Sequence, residues 1–364
     1  MNLDFSPEQK QFREQIHRFL QKSDGLSQAR SILDGKVQNY SAPIWKGLAE
    51  MSVQAIAIPE EHSGIGLGAL ELCVAAEEIG RALAPVPFFS SVCLCAEAIR
   101  LFGSEEQKAK WLPGLASGEV IGTWAEADHP ADEASFRFGA LSGTKAPVLD
   151  GMVAQVAVVV MQDAAAGAPT LLLCDLMQSG VERRPVKTVD PTRPAARLTF
   201  AGAAAERLAD SGGGAWKTLS DRAAVFLAFE QLGSAETALG MACAYAQERA
   251  AFGRKIGSFQ AIKHRLADMY TKIQLARCHC YYGAWAISTD AAEVPLAAAG
   301  ARCSAIDALD YAAQENIQVH GGIGVTWEAN CHLFYRRARL NALLLGPRHV
   351  WQDRLVASLE QKLA

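Results

Sequence analysis

The sequence contains no uninterrupted apolar run of the roughly 18 to 20 residues that a membrane-spanning helix requires, although half of its residues are apolar. Its first residues, MNLDFSPEQKQF, lack the cationic start and apolar run of a secretory signal, and we expect the protein in the cytoplasm. A formal net charge of -4 provides no basic excess for binding nucleic acid or an anionic membrane surface. These absences indicate a globular protein that binds no nucleic acid and has no membrane span.

Cysteine does not occur in the pattern of a disulfide framework, because the nine cysteines are scattered and odd in number, and we expect reduced thiols. Two C-x-C pairs, Cys93 with Cys95 and Cys278 with Cys280, lie in segments of helical pattern, where residues two apart point to different faces. No second ligand pair accompanies either of them. We therefore predict no metal site and interpret these cysteines as small buried hydrophobic residues.

The chain also lacks a G-x-G-x-x-G stretch after a predicted strand, which argues against a dinucleotide-binding Rossmann unit. Its N-terminal part is instead helical in pattern. Ser6, Pro7 and Gln9 have the spacing of an N-cap, a first-turn proline and a capping-box partner, so a helix is expected to begin there. Further helices are predicted at residues 42–50, 67–83, 90–102 and 105–115.

From about residue 118 the sequence pattern changes to short β-rich runs separated by Gly, Pro and Asp, which predict strands. Because no long helix lies between these runs, we predict that the strands are antiparallel. A glycine-rich joint at 211–214 then leads into Ala-rich helical sequence. Since 364 residues exceed one ordinary core, we predict an α+β multidomain fold. Its parts are an N-terminal α-helical domain at 1–117, a middle antiparallel β domain at 118–210 and a C-terminal four-helix bundle at 216–364.

Two stretches in the C-terminal part carry a family resemblance. Residues 247–264 read QERAAFGRKIGSFQAIKH and residues 317–324 read IQVHGGIG. The first resembles the R-x-x-F-G signature of the acyl-CoA dehydrogenases with its following glutamine, and the second resembles their Q-x-x-G-G-x-G segment. The resemblance covers most of the chain. It implies an FAD-dependent α,β-dehydrogenation of an acyl-CoA thioester, with an electron-transfer flavoprotein as electron acceptor.

The resemblance assigns one set of residues to FAD, which this family binds across a subunit interface. An arginine fork suits the pyrophosphate, glutamine amides suit the adenosine and ribitol side, a phenylalanine walls the cofactor, and glycines admit a close backbone. The assigned residues are Arg249, Phe252, Gln260, Gln318, Gly321 and Gly322. Each also has a simpler explanation: the arginine could pair within its own helix, the phenylalanine could be a core aromatic, and the glycine pair could cap a helix.

The catalytic base of the family is missing. In the family, a carboxylate removes the α-proton of the substrate while a hydride leaves the β-carbon for the flavin. One of the two positions at which the family carries this base falls on Leu345, and the other falls on Ala223. Neither side chain can take a proton. The position of the tryptophan that stacks on the flavin ring in the family falls on Pro147.

Three functions are compatible with this pattern. We favour a non-catalytic or supporting subunit of a heteromeric acyl-CoA dehydrogenase, which contributes FAD contacts to a homologous partner, as in enzymes of bacterial steroid side-chain degradation. The alternative is an autonomous homo-oligomeric dehydrogenase whose base is Glu328 or Glu230, activated by an apolar pocket. The third is a flavin-free scaffold or binding protein. A shared cofactor requires at least a dimer, and the pattern leaves dimer or tetramer, and the acyl chain, open.

Overall fold

The structure is a computed structural model that describes residues 5–37, 39–161 and 169–363. Its helices are α1 (Pro7–Lys22), α2 (Gly25–Leu33), α3 (Ala42–Glu50), α4 (Ala69–Arg81), α5 (Glu97–Phe102), α6 (Glu105–Ser117), α7 (Ala215–Glu248), α8 (Gln260–Ser288), α9 (Val294–His320), α10 (Cys331–Asn341) and α11 (Arg348–Leu363). Its strands are β1 (Gly122–Ala125), β2 (Ser135–Arg137), β3 (Ala140–Leu149), β4 (Val156–Met161), β5 (Thr170–Asp175), β6 (Val181–Val186), β7 (Ala195–Arg207), β8 (Ala250–Ala251) and β9 (Arg254–Lys255).

The chain divides into two compact units, each assembled from separate segments. The first comprises residues 1–30, 69–84 and 224–364, and the second comprises residues 31–68 and 85–223. The order of helices, then a sheet, then helices confirms the predicted α+β fold. The three domain boundaries drawn from the sequence stay predictions.

Local capping signals explain where several helices begin. The side chain of Ser6 accepts a hydrogen bond from the backbone of Gln9, whose side chain accepts one from the backbone of Ser6, as the sequence predicts. Ser104 and Gln107 repeat this reciprocal pair at the start of α6. Both pairs satisfy backbone donors that have no partner within the helix.

The first unit is helical, and its tightest packing joins α4 to α7. A Cβ atom added to Gly80 would lie 1.9 Å from the carbonyl oxygen of Glu230, and one added to Gly233 would lie 1.9 Å from that of Glu77. The hydroxyl of Ser234 donates to the carbonyl of Gly80 at 2.8 Å. Glycine at both positions therefore lets the two helix backbones touch.

Charged side chains surround this crossing. The carboxylate of Glu77, which is fully buried, lies 2.9 Å from Arg13 and from Arg81, and 3.4 Å from Arg277. Burial is the largest single influence on Arg13 and acts to lower its pKa, but Glu77, Tyr281 and Glu78 together outweigh it and raise the pKa of this arginine. Three positively charged guanidinium groups thus offset the cost of removing this carboxylate from water.

The second unit contains a seven-stranded sheet in the order β1-β4-β5-β7-β3-β2, with β6 paired to β7. The strand pairs are antiparallel, as predicted, except that β1 runs parallel to β4. A π-helical segment, Phe89–Ala96, and α6 belong to the same unit. None of the helices in the described part of the chain combines the length and the apolar character that crossing a membrane demands.

The nine cysteines form no disulfide within the described residues, and most of them are buried. Cys93, Cys95 and Cys280 lie in the interior, which agrees with the prediction. Cys278 is exposed, so the prediction of a buried residue was wrong there. It lies two residues from Cys280 on α8, and such positions point to different sides of a helix.

Candidate functional site

The stretch that resembles the R-x-x-F-G signature folds as a helix end, a tight hairpin and a helix start. Arg249 follows the last residue of α7, and its carbonyl accepts a hydrogen bond from Ile256 at 2.8 Å. The hairpin of β8 and β9 turns at Phe252 and Gly253, which have φ angles of 51° and 78°. Two successive positive φ angles match the two-residue turn that the twist of a hairpin favours. Gln260 then begins α8.

The second motif closes α9. Gln318 lies in its last turn, and Gly321 follows its last residue with a φ of 62°. A stacked pair of rings joins the two motifs, because Tyr245 of α7 and His320 of α9 have ring centroids 4.2 Å apart. Arg249 lies one turn beyond Tyr245, to whose carbonyl its backbone donates at 2.9 Å. The fold therefore brings together two motifs that are far apart in sequence.

All six residues that the resemblance assigns to FAD are exposed on the first unit. Phe252 is 96% exposed, so the alternative explanation as a core aromatic does not hold. Among the described residues, the guanidinium of Arg249 has no ion pair or hydrogen bond, and Lys255 instead donates to the carbonyl of Glu248 at 2.6 Å. These side chains are thus available to a group outside their own chain.

The surroundings of Gly322 show whether the fold itself requires glycine at this position. A Cβ atom added there would meet nothing within 4 Å, and its backbone is not in the left-handed region. Neither packing nor conformation within the described chain requires glycine at this position. Gly324 differs, because its Cβ would lie 2.5 Å from the carbonyl oxygen of Ile317. Packing within the chain therefore requires glycine at Gly324, whereas Gly322 leaves open space at the surface.

The two positions that the resemblance assigns to the catalytic base lie in different surroundings. Ala223 is fully buried in α7. Leu345 lies after α10 with a φ of 60°, and its carbonyl accepts a hydrogen bond from the indole of Trp351 at 2.9 Å. Neither position offers a titrating side chain.

A buried polar network lies beneath the Leu345 turn, and sequence analysis missed most of it. Arg302 is fully buried, donates to Gln231 at 2.5 Å and to the carbonyl of Leu344 at 2.7 Å, and also donates to the carbonyl of Asn341. Burial lowers the pKa of Arg302 to about 9. The polar pair of residues 230 and 231 inside the apolar stretch VFLAFEQLG was the signal that could have located this network.

The candidate bases proposed from sequence differ in exposure. Glu230 belongs to the buried network, with one carboxylate oxygen 3.4 Å from Arg337 and 3.4 Å from Asn341. Glu328 is exposed, on a segment that Arg30 holds through the carbonyl of Ala329 at 2.8 Å. The structure therefore encloses one of these carboxylates and leaves the other at the surface.

In the second unit, Pro147 lies in β3 where the pairing with β7 shifts register between Lys145 and Val148. Elsewhere in this unit, the carboxylate of Glu126 accepts hydrogen bonds from two indoles, that of Trp124 at 3.1 Å and that of Trp216 at 3.0 Å. Both tryptophans are therefore fixed by one carboxylate. Sequence analysis did not single out these three residues.

Comparison with known proteins decides the family. The description "Acyl-CoA dehydrogenase, N-terminal domain" matches residues 6–119, and "Acyl-CoA dehydrogenase, C-terminal domain" matches residues 214–359. The chain belongs to the acyl-CoA dehydrogenase family. It is 36% identical to "Acyl-CoA dehydrogenase IpdE2" of Mycobacterium tuberculosis over 350 residues, which are 94% of this chain and 95% of that protein.

Solved structures of acyl-CoA dehydrogenases resemble the chain over nearly its whole length. A variant of the "Tcur3481-Tcur3483 steroid ACAD" has a TM-score of 0.88 at 28% identity and is covered to 98%, as is this chain. The ChsE4-ChsE5 complex from Mycobacterium tuberculosis has a TM-score of 0.90 at 26% identity, with 99% of each chain covered. The chain is thus an oxidoreductase of a family that acts on CH-CH groups of acyl-CoA and carries FAD.

Proposed function

We propose that this acyl-CoA dehydrogenase chain is a supporting subunit of a heteromeric enzyme and contributes FAD contacts to a homologous partner subunit. The observation that carries the proposal is the pair of residues at the base positions, Ala223 and Leu345, which cannot remove a proton. The exposed nucleotide-binding set supports it, since groups that serve a neighbouring chain must lie at the surface.

The chemistry of these residues fits the pyrophosphate of FAD and the adenosine and ribitol groups beside it. Arg249 would hold the pyrophosphate through two parallel hydrogen bonds, and the glutamines would bind the adenosine and ribitol side. Gly321 and Gly322 leave room for a close approach. When bound, FAD accepts the hydride that leaves the β-carbon of the acyl thioester. This chain's contribution is to bind and orient the nucleotide.

The names of similar structures support a substrate class and a type of assembly. One similar structure is named as a steroid enzyme, and another is named as a complex of two proteins. We infer by this likeness an acyl-CoA of lipid or steroid catabolism as substrate. We further propose an electron-transfer flavoprotein as electron acceptor, as the family implies, and the cytoplasm as the location.

Co-expression with a homologous acyl-CoA dehydrogenase subunit tests the proposal. Native mass spectrometry and absorbance report chain composition and flavin content together. We expect a mixed oligomer with one FAD for each pair of chains and turnover only in the mixture. A flavin-saturated, fully active oligomer of this chain alone would contradict the proposal. A mixed oligomer without FAD would instead favour the flavin-free scaffold.

An autonomous dehydrogenase is the second candidate, and the burial of Glu230 is the observation that favours it. A buried carboxylate that faces the substrate can serve as a general base. Against this, the ion pair of Glu230 with Arg337 gives the carboxylate a structural role. Separate Glu230→Gln and Glu328→Gln variants decide the matter, because unchanged turnover in both removes this candidate.

A further inference from the structure

A separate cluster of potential metal ligands lies in the second unit, outside the residues discussed for FAD. It consists of Glu61 and His62, in the short 3-10 turn Glu60–His62, together with Glu105, the first residue of α6. The nitrogen and oxygen atoms that these three side chains offer all lie within 4.8 Å of one another. Sequence analysis predicted no metal site, and it did not consider these residues because they are separated by about 40 positions.

His62 carries the argument because its side chain is buried and incompletely satisfied. The residue is 7% exposed, and its Nε2 atom has no hydrogen-bond partner among the described residues. This atom faces Glu105 Oε2 at 3.6 Å and Glu61 Oε1 at 3.9 Å, which are both longer than a hydrogen bond. Leaving a buried polar atom without a partner is unfavourable, so an ion bound between these groups would stabilise the turn.

Glu105 is fixed in place by a neighbouring cation. Lys108 donates to Glu105 Oε1 at 2.9 Å, which leaves Oε2 directed at His62. The cluster therefore presents a buried imidazole nitrogen and two exposed carboxylates, one of which is paired with Lys108.

We propose that Glu61, His62 and Glu105 bind one divalent transition-metal ion such as Zn²⁺, with water completing the coordination. Imidazole nitrogen and carboxylate oxygen are both ligands of this ion class. In a tetrahedral site with bonds of about 2.0 to 2.1 Å, neighbouring ligand atoms lie about 3.4 Å apart. The two separations from Nε2, 3.6 and 3.9 Å, need to shorten by only a few tenths of an ångström, and the two carboxylate oxygens, which lie within 4.8 Å of each other, must close around the ion.

Such an ion would connect two segments of the second unit. The turn that carries His62 packs beside α6, and its backbone closes through Ser63 donating to Glu60 at 3.0 Å and Gly64 donating to Pro59 at 3.0 Å. A ligand from each segment makes the metal a structural cross-link. Because the ion binds the folded chain, it raises thermal stability by an amount that grows with the logarithm of the free ion concentration above the dissociation constant.

Metal titration of the full-length, tag-free chain tests this proposal. Every variant carries Cys278→Ser, so that the exposed thiol does not contribute a competing site. After removal of metal with a chelator, Co²⁺ and Zn²⁺ are titrated by calorimetry, and Co²⁺ absorption reports the ligand type. We expect one ion per chain, no thiolate-to-cobalt band, and a metal-dependent rise in melting temperature. His62→Gln and Glu105→Gln should each weaken binding by at least about tenfold.

Adjacent exposed carboxylates provide matched controls. Glu106→Gln and Glu60→Gln remove the same charge beside the cluster, and they should keep both the affinity and the metal-dependent rise. A His62→Gln variant that is less stable without metal still tests the proposal, since the readout is the difference that metal makes. Equal affinities in all variants, or no saturable binding, would show that His62 only faces its carboxylates as an ion pair and would overturn the proposal.

Discussion

Glu97 illustrates how a single charge is kept inside the second unit. Its carboxylate is 1% exposed and lies 2.7 Å from Arg100 and 3.0 Å from Arg222. Burial acts to raise the pKa of Glu97, but the two arginines outweigh burial and hold it below the ordinary value. The ion pairs are therefore formed throughout the neutral range and depend on this one side chain.

Replacing Glu97 by glutamine should destabilise the chain at pH 7 by about 3 kcal/mol, because two guanidiniums lose their charge partner. A carboxylate with a lowered folded pKa stabilises above its unfolded pKa of about 4.3 and loses this contribution as the pH falls through the folded pKa. The urea midpoint of the variant should thus depend less on pH below about 5. Glu119→Gln, at an exposed site of the same unit, is the control. Equal midpoints for both variants at pH 7 would contradict this account.

Gly322 permits a test that separates binding from stability. Because a Cβ atom there meets nothing within 4 Å, Gly322→Ala should not lower the melting temperature. In the mixed complex the same methyl group would obstruct FAD, and we expect affinity to fall at least about tenfold, or 1.4 kcal/mol. Flavin fluorescence during titration of the FAD-depleted complex measures this. Gly324→Ala should instead lower the melting temperature, since its Cβ lies 2.5 Å from Ile317. Full FAD affinity in Gly322→Ala would count against the assigned role.

At the scale of elements, the crossing of α4 and α7 is the most sensitive contact of the first unit. Gly233→Ala places a methyl group 1.9 Å from the carbonyl oxygen of Glu77 and should destabilise by about 3 kcal/mol or more, because the helices must separate. Gly240→Ala, on the same helix with nothing within 4 Å, should stabilise by about 0.5 to 1 kcal/mol. Thermal unfolding followed by circular dichroism compares the two. Similar melting temperatures for both variants would mean that the crossing tolerates separation.

The elements that sequence patterns predict are those with local signals. The capping box at Ser6 and Gln9 and the helix at 42–50 required only neighbouring residues, and both are confirmed. The helix crossing at Gly80 and Gly233 could not be predicted in this way, because the sequence pattern around a helical glycine does not identify the helix that packs against it. The parallel pairing of β1 with β4 was missed for the same reason, since the direction of a partner strand is a property of the tertiary fold.

In the candidate site too, sequence motifs identify residues but not the contacts that position them. The motif residues around Arg249 and Gln318 are found by their spacing, whereas the ring stack of Tyr245 on His320, which joins them, needed coordinates. The partners of Arg302 are mostly backbone carbonyls, which every residue has and which residue identity therefore cannot reveal. Residue chemistry could therefore be inferred in advance, but the contacts that position it could not.

At the scale of the whole molecule, the exposed apolar residues near the two motifs indicate a surface that is covered in the assembled enzyme. Phe252 is 96% exposed, and in the segment that follows the double glycine Ile323, Val325 and Trp327 are 50%, 72% and 51% exposed. Exposed apolar groups beside potential nucleotide ligands are what a shared cofactor site requires, since the neighbouring chain buries the former while the cofactor engages the latter.

Arg249 allows this surface to be tested in the mixed enzyme. Arg249→Lys keeps the charge but loses the planar fork, so FAD affinity should fall by about 1.5 to 3 kcal/mol, roughly 10- to 150-fold. Because the base belongs to the partner subunit in the proposed assembly, turnover should return to its original rate when FAD is added in excess. Arg254→Lys, whose guanidinium lies 4.1 Å from the ring of Phe259 in the same chain, is the matched control.

Two readouts together make the interpretation of the Arg249 variant unambiguous. A lower affinity for FAD with a recoverable turnover number places the arginine in nucleotide binding and the proton transfer in the other chain. A turnover number that stays low at saturating FAD would instead mean that this chain contributes to the chemical step. Unchanged affinity would assign the nucleotide contact elsewhere and would leave the exposed guanidinium as an ordinary surface residue. The same chain must therefore be assayed in the mixed complex, where both quantities are defined.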